Sequence, residues 1–565
     1  MNAPTNTLPP LDMDGAIRAL MDGDIEVALA AFSALSIAEP SKFELRYWLS
    51  SVAAAAGLVD EAQTALNDAR LLHAFALIRG MGGDVPRLTK DPEYAHVIAR
   101  AIYDVQSVAT AGVAYSMALA AGSEDVQVLF AYALCLHHQG RAEEAAMAFR
   151  AVGETPRASS SAHQFLLFAL FYVEDGIVRQ AEAARAWAAL YEQKSPPKPF
   201  ANSRDPKRKL RIGYVAPSFA QRQARQFITP ILDHLDRDAF EVFLYPAKAE
   251  GETGWAKPVT VRAAAHLSDE QFAALIRKDR IDVLIDVWGH NPDNRLTTFG
   301  HRAAPVQVSW LNYQQTTGMK TMDYSMQTEG VQTPDMESHF TETVWMVPGS
   351  TAPYRPDPEA TVAPAPSLAT GRVTFGSFNN PAKLTDQTVA AWARILRGRP
   401  GSRLLLKYSY YEDHVMARST AARFAAHGVG MERLVFAGHT KGKAYEDAFA
   451  LVDLALDPSP CPGGTTSFEA LARGVPVLTL KGETYYSRIG VPIVLGAGMG
   501  DLVADSWDDY VAKAIAVTAS PNTLQTLRDR AVAGFQAAPY RDEVGITRSL
   551  EAAYRAMFER WCEAG

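Results

Sequence analysis

At 565 residues the chain is too long for one hydrophobic core, and a prior of roughly 100–200 residues per domain predicts three or four structural units. A composition of 48% hydrophobic and 21% charged residues excludes a disordered or fibrous chain, and a formal charge of −8 removes any global attraction for nucleic acid or anionic lipid. Cys135, Cys461 and Cys562 are too few and too far apart for a disulfide framework or a zinc cluster, which points to a reducing compartment. The start MNAPTNTLPPLDMDG lacks the basic and apolar segments of a signal peptide, and no run reaches the length of about 18 apolar residues that a spanning helix needs. A cytoplasmic protein with no membrane insertion is the expectation.

Residues 1–195 are rich in Ala and Leu with helical periodicity and almost no β-branched runs, which predicts helices throughout. Gly23, Ala28, Phe32 and Pro40 recur 34 residues later as Gly57, Ala62, Leu66 and Ala74, the period of tetratricopeptide helix pairs. The frame returns as Gly140, Ala145, Phe149 and Pro156, and again as Gly176, Ala181 and Arg185 at a spacing of 36. Gly permits the tight turn between paired helices, the small Ala lets them approach, and the aromatic fills the seam between repeats. The stretch of roughly 75–125 is helical but out of register. An ordinary bundle would show similar features, and a solenoid either recruits a partner or only braces the domain behind it.

Residues 196–209, within the Pro-, Lys- and Arg-rich EQKSPPKPFANSRDPKRK, form a solvated linker. After it, LRIGYV at 210–215, FEVFLY at 240–245, IDVLIDV at 281–287 and PVQVSW at 305–310 alternate with helical segments, the pattern of a parallel sheet with flanking helices. A second series comprises RVTFGSF at 372–378, SRLLLKY at 402–408, RLVFAG at 433–438, LVDLALD at 451–457 and GVPVLTL at 474–480. The Pro-rich stretch around 351–370 separates the two, because proline is excluded from helix interiors and central strands. Two Rossmann-like α/β domains, 210–350 and 371–565, therefore face one another across a cleft; the last helices are candidates to fold back onto the first domain.

Open α/β sheets bind ligands beyond the carboxyl ends of their strands. The richest loop there runs from Asp457 through Gly463, Gly464, Thr465 and Thr466 into a helix carrying Glu469. Its glycines allow close backbone approach, the amides at the helix start attract phosphate, and Glu469 is placed to accept hydrogen bonds from ribose hydroxyls. As a Gly-rich turn with an N-cap the pieces are common, so on their own they leave phosphate binding and simple capping equally open.

Several longer motifs narrow the choice. LRIGYVAPSF, DVLIDVWGHNPDNRLTTFGHRAAPVQVSWLNYQQTTGMKTMDY, VTFGSFNNPAKLTDQTVAAWARIL and DPSPCPGGTTSFEALARGVPVLTLKGETYYSRIG resemble, in order and spacing, the O-linked N-acetylglucosamine transferase family with its SPINDLY-type and bacterial members. The resemblance covers almost all of 209–561. It implies tetratricopeptide repeats followed by a GT-B fold, and inverting glycosyl transfer from a nucleotide sugar with no metal or other cofactor. It also implies Asn380 and Lys383 on the diphosphate side of the donor, Gly464, Thr465, Thr466 and Glu469 as phosphate and ribose contacts, and His439, Thr440 and Tyr445 near base and ribose. Lys383, a compact point charge, is the first choice for stabilising the leaving phosphate. Asp286 and His290, in a motif that keeps Gly289 and Arg295, are the acid/base candidates facing the cleft, although a carboxylate at a strand end often only caps a loop.

The departures from the family matter. The first loop normally carries a His near the transferred sugar, and here that position is Arg222, with Arg225 three residues on. The second loop, usually Gly-Tyr-Pro-Gly-Thr, reads Asn312-Tyr313-Gln314-Gln315-Thr316, so Tyr313 and Gln314 are candidate specificity residues. An arginine fork matches a carboxylate bidentately, which favours an acidic donor such as a nonulosonic acid activated with cytidine monophosphate (CMP), and flagellin as the protein acceptor held by the repeats. Alternatively, Arg222 faces solvent or pairs with Asp233 or Asp236. A transferase using uridine-diphosphate (UDP) N-acetylglucosamine, and a catalytically idle scaffold, are the rival readings.

Overall fold

The computed structural model describes residues 12–564 apart from 22–23, 81, 106, 156–158, 174–175, 194–198, 249–256, 332, 334, 351 and 359. Gly23 and Pro156 of the repeat frame, 194–195 at the end of the helical region and 196–198 of the linker lie outside the described residues. The helical module comprises α1 (Met13–Met21), α2 (Ile25–Ala38), α3 (Phe43–Ala55), α4 (Val59–Gly80), α5 (Val85–Leu88), α6 (Pro92–Asp104), α7 (Val108–Ala120), α8 (Val126–His138), α9 (Ala142–Gly153), α10 (Ser160–Leu170) and α11 (Gly176–Tyr191). Consecutive helices pack on one another as a solenoid. Gly57 and Gly140 turn the chain between α3 and α4 and between α8 and α9 at φ +78° and +75°, a region closed to most side chains. Ala28, Ala62, Ala145 and Ala181 are buried where helices approach, with Phe32, Leu66 and Phe149 in the seams. The register is lost at the 22-residue α4, which runs through the position where a turn was due.

The first sheet holds β1 (Leu210–Ala216), β2 (Phe240–Pro246), β3 (Thr260–Val261), β4 (Val283–Asp286), β5 (Val306–Ser309), β6 (Tyr324–Thr328) and β7 (Thr343–Val347) in the order β3-β2-β1-β4-β5-β6-β7, every pair parallel. The second holds β8 (Thr374–Ser377), β9 (Arg403–Lys407), β10 (Leu434–Ala437), β11 (Leu454–Leu456), β12 (Val477–Leu480) and β13 (Val503–Ala504) in the order β10-β9-β8-β11-β12-β13, again all parallel. All nine strands predicted from apolar runs are present; β3, β6, β7 and β13 are additional. β6 escapes an apolar-run criterion because its buried positions include Ser325 and Gln327, the Gln327 Nε2 donating to Ser325 Oγ at 2.6 Å.

The last helix, Glu543–Glu563, folds back onto the first domain: Leu550, Tyr554, Met557 and Phe558 are buried, and Tyr554 meets the Tyr214 hydroxyl of β1 at 3.2 Å. The Pro-rich crossover is pinned as well, with Tyr354 buried and stacked 4.6 Å from Phe468 of the second domain. The helical module docks on both domains. Asp413, which caps a helix of the second domain, accepts from the Ala109 and Thr110 amides at the start of α7 at 2.8 and 3.1 Å. On the first domain, Gly318 adopts φ +76° where a Cβ would lie 2.3 Å from the Ala184 backbone of α11. Among the described residues no helix is long and apolar enough to cross a membrane.

Candidate functional site

β11 ends at the loop that opens the cleft. Asp457, just past the strand, is buried and accepts from the Gly463 amide at 3.1 Å and the Ser467 hydroxyl at 2.9 Å, which folds the loop over its own helix start. Burial pushes its carboxyl up to about 6, against the Ser467 hydroxyl and the Lys383 ammonium. Gly463 is required here, since a Cβ would lie 2.2 Å from Ser467 Oγ. The helix Thr465–Ala472 starts behind Gly464 with no side-chain cap, so its first amides are left for another partner.

Lys383 reaches this loop from beyond β8. Its Nζ donates to the Pro462 carbonyl at 2.8 Å and to Asn379 Oδ1 at 3.1 Å, and Thr466 Oγ1 also approaches Asn379, at 3.4 Å. The Cys461 side chain is a third neighbour of this ammonium. Asn380 does something else: its side chain turns back to accept from the Ala382 amide at 3.0 Å, and it lines neither of the cavities described next. Asn379, its neighbour, is the residue that touches Lys383.

Two cavities meet at Thr465, which lines both. One, of about 1010 Å³, is walled by Arg222, Arg225, Lys407, His439, Thr440, Tyr445, Thr466 and Glu469, together with Phe378. The other, of about 600 Å³, is walled by Tyr313, Gln314, Lys383, Gly464 and Asn291, with Phe171 and Tyr172 from the helical module and Tyr486 opposite. Thus His439, Thr440, Tyr445, Thr466 and Glu469 gather around the first cavity, whereas Lys383 and Gly464, also expected on the phosphate side, border the other together with the variant second loop. In the first, His439 offers its imidazole because only its amide is held, by Glu412 at 2.7 Å, and the buried Thr440 hydroxyl has no partner among the described residues. Lys407, buried with its Nζ 2.8 Å from the Gly438 carbonyl, is held below the usual ammonium range by desolvation.

Arg222 neither faces solvent nor pairs with Asp233 or Asp236. Its guanidinium meets Asp357 of the crossover at 2.5 Å, Glu446 at 3.0 Å and Glu469 at 2.5 Å, and lies 5.2 Å from the Tyr445 ring. Asp233 instead pairs with Arg355 at 2.8 Å, and Asp236 caps its own turn. Arg473 joins the cluster through Glu446, so two guanidiniums face three carboxylates. Glu469, buried, also accepts from the Tyr445 hydroxyl at 2.7 Å; burial raises its carboxyl despite the Arg222 charge. Arg225 is exposed on the rim.

Asp286 and His290, expected to face the cleft, line neither cavity. Asp286, 1% exposed, accepts from the Gly289 amide at 2.6 Å and caps the turn after β4; burial pushes its carboxyl up to about 7. His290 is also 1% exposed, wedged between Trp187 and Tyr313, with Nε2 2.9 Å from the Thr317 carbonyl; burial pushes it down to about 4. Sequence reasoning missed Asn379, Asp357, Glu446, Arg473 and the organising role of Asp457. Only Asp457 carried a signal, as the polar end of an apolar strand.

The comparisons with known proteins agree with this architecture. The glycosyl transferase family 41 profile matches residues 163–351 and 362–540. A probable UDP-N-acetylglucosamine–peptide N-acetylglucosaminyltransferase SPINDLY of Solanum lycopersicum is 32% identical over 421 residues, 72% of this chain and 45% of the relative. The probable transferase SEC of Arabidopsis thaliana is 26% identical over 370 residues, 63% of this chain and 38% of the relative. The chain therefore spans less than half the length of these curated relatives. A solved mutant of the Thermobaculum terrenum O-GlcNAc transferase aligns with a TM-score of 0.76 and 26% identity, covering 98% of this chain and 97% of that one. The chain belongs to glycosyl transferase family 41.

Proposed function

We propose that this chain transfers a sugar from a nucleotide donor to a Ser or Thr hydroxyl of a protein, and that the donor sugar is neutral, of the N-acetylglucosamine class. The observation that carries the reading is the uncapped helix start at Thr465, which separates a nucleoside-sized cavity from a second, largely aromatic one, with Lys383 poised between them. The donor's phosphates would sit on the free amides of that helix, and the Lys383 ammonium would stabilise the departing phosphate without a metal. The sugar would project into the second cavity, where the acceptor hydroxyl attacks in line, with inversion. The preference for a neutral sugar follows from Arg222, which lines the first cavity and not the second and whose charge is already met by three carboxylates, so it offers no free fork to a sugar carboxylate. The SPINDLY and SEC relatives are named for UDP-N-acetylglucosamine, which supports the same choice.

A second reading keeps the CMP-activated nonulosonic acid, with flagellin as acceptor. It is favoured by Arg225, exposed on the rim of the first cavity with no carboxylate against it among the described residues. Intact-mass analysis of candidate acceptors incubated with the protein and either donor separates the two. An N-acetylhexosamine increment that disappears in Lys383→Ala is expected; an acidic-sugar increment overturns the donor assignment, and no increment with either leaves the scaffold reading standing.

A further inference from the structure

The last helix pair of the repeats is built into the wall of the second cavity. Phe168, Phe171 and Tyr172, at the end of α10, line it directly. One turn into α11, Gln180 is fully buried and its Nε2 donates to the Tyr313 hydroxyl at 2.5 Å, across 133 residues of sequence. The Tyr313 ring has nowhere else to go. A Cβ on Gly289 would lie 2.1 Å from Tyr313 Cβ, His290 stands edge-on at 5.2 Å and Phe171 at 5.4 Å. Further along the same loop, buried Glu342 holds the Thr316 hydroxyl and the Thr317 amide at 2.7 Å each, and Gly318 seats against α11. Inside so apolar a wall, an unpaired amide or phenol is costly, so the hydrogen bond ties the helix and the loop to one relative position.

We infer that Gln180 is a positioning residue for sugar transfer: by holding the buried Tyr313 hydroxyl it fixes the Tyr313 ring in the wall of the second cavity, which makes the last helix pair part of the catalytic unit and not only a recruiter of the acceptor. The inference rests on the transferase reading of that cavity. It requires that Gln180 matter even for an acceptor too short to touch the rest of the solenoid, and that it act through the Tyr313 hydroxyl alone.

The test is a double-mutant cycle of Gln180→Met, nearly isosteric but unable to hydrogen-bond, and Tyr313→Phe, measured with a short Ser-containing peptide as acceptor. Gln180→Met is expected to lower kcat/KM for the peptide about tenfold while UDP affinity stays within about twofold of wild type, and the double variant to be no slower than Tyr313→Phe. An unfolding transition of Gln180→Met within a few degrees of wild type guards against a folding defect in that variant. Losses that multiply in the double variant, or a Met variant as fast as wild type, overturn the inference. If the wild-type protein transfers nothing, the transferase reading fails and the positioning is read by NMR of ¹³Cζ-labelled tyrosine. The resonance lost in Tyr313→Phe must then shift or broaden in Gln180→Met, and an unmoved resonance overturns the inference independently of turnover.

Discussion

Arg222→Met removes the cation on which three carboxylates converge while keeping the length of the side chain. The partners differ in their access to water: the side chains of Asp357, Glu446 and Glu469 are 25%, 8% and 2% exposed, and that of Arg222 is 29% exposed. Stripping one partner from a fully buried ion pair costs about 3–5 kcal/mol; with a quarter of the Arg222 and Asp357 surfaces still wetted, about 2–3 kcal/mol is the appropriate figure here. Arg473 remains, but it already serves Glu446. Glu469 therefore loses its main opposing charge, and its carboxyl, raised by burial even in the intact cluster, rises further.

The sign of the pH dependence follows. A carboxylate with a folded-state pKa above its unfolded value takes up protons on folding, so its contribution to stability falls as pH rises between the two values. The variant has the wider gap, so across a series from pH 8 to pH 5 its deficit relative to wild type should be largest at the alkaline end and should shrink toward the acid end as the raised Glu469 carboxyl takes up a proton more readily. Calorimetric unfolding of both proteins across that range is the assay, with a transition lowered by about 3–6 °C at pH 8 expected for the variant. A deficit that is constant with pH, or that deepens toward acid, would refute the assignment of Arg222 to this cluster.

Lys383→Ala should slow UDP release from donor by about 10²–10³-fold at saturating donor, the usual effect of deleting one charge-stabilising group, while the unfolding transition stays close to wild type. Gly318→Ala should cost at least about 2 kcal/mol and expose the junction between helical module and first domain to limited proteolysis, because φ +76° and the Ala184 backbone oppose a Cβ together. Gly330→Ala, with φ +88° but open space around it, is the control carrying the backbone cost alone. Asp286→Asn should flatten the loss of wild-type stability between about pH 4 and about pH 7: the buried Asp286 carboxyl, raised to about 7, is tolerated while protonated and penalised once ionised, and urea midpoints over that range measure the slope.

What sequence revealed and what it hid divides along physical lines. Strands β1, β2, β4 and β5 and most of the second sheet were legible because strands buried on both faces read as apolar runs, whereas β6 fills buried positions with Ser325 and Gln327 and carries no such signature. The loop from Asp457 to Glu469 was legible because its chemistry is local: glycines, hydroxyls and a helix start within a dozen residues. The role of Arg222 was not. The argument that a guanidinium fork seeks a carboxylate was sound, but sequence does not say whether ligand or protein supplies it, and the carboxylates that do are 135 and 224 residues away in Asp357 and Glu446. Asp286 and His290 failed for the converse reason: the end of a strand marks the edge of the sheet, but Asp286 is buried capping its own turn and His290 is packed between Trp187 and Tyr313.

The same docking contacts bear on how the cleft works. A pair of Rossmann-like domains joined by one crossover and one returning helix would ordinarily hinge. Here an uninterrupted series of packed helices holds the second domain at Asp413, through the start of α7, and the first domain at Tyr313 and Gly318, through α11. Closure by rigid-body rotation would have to bend α7 to α11 as a unit or break buried hydrogen bonds at one end. Arg222 adds a third tie, from the first domain to the crossover and to Glu446 and Glu469 of the second. Such a cleft has its width set before any ligand arrives, so the adjustment to a donor falls on side chains within it. Among these, the Arg222–Glu469–Tyr445 group connects the two domains with the cavity lined by His439 and Thr440.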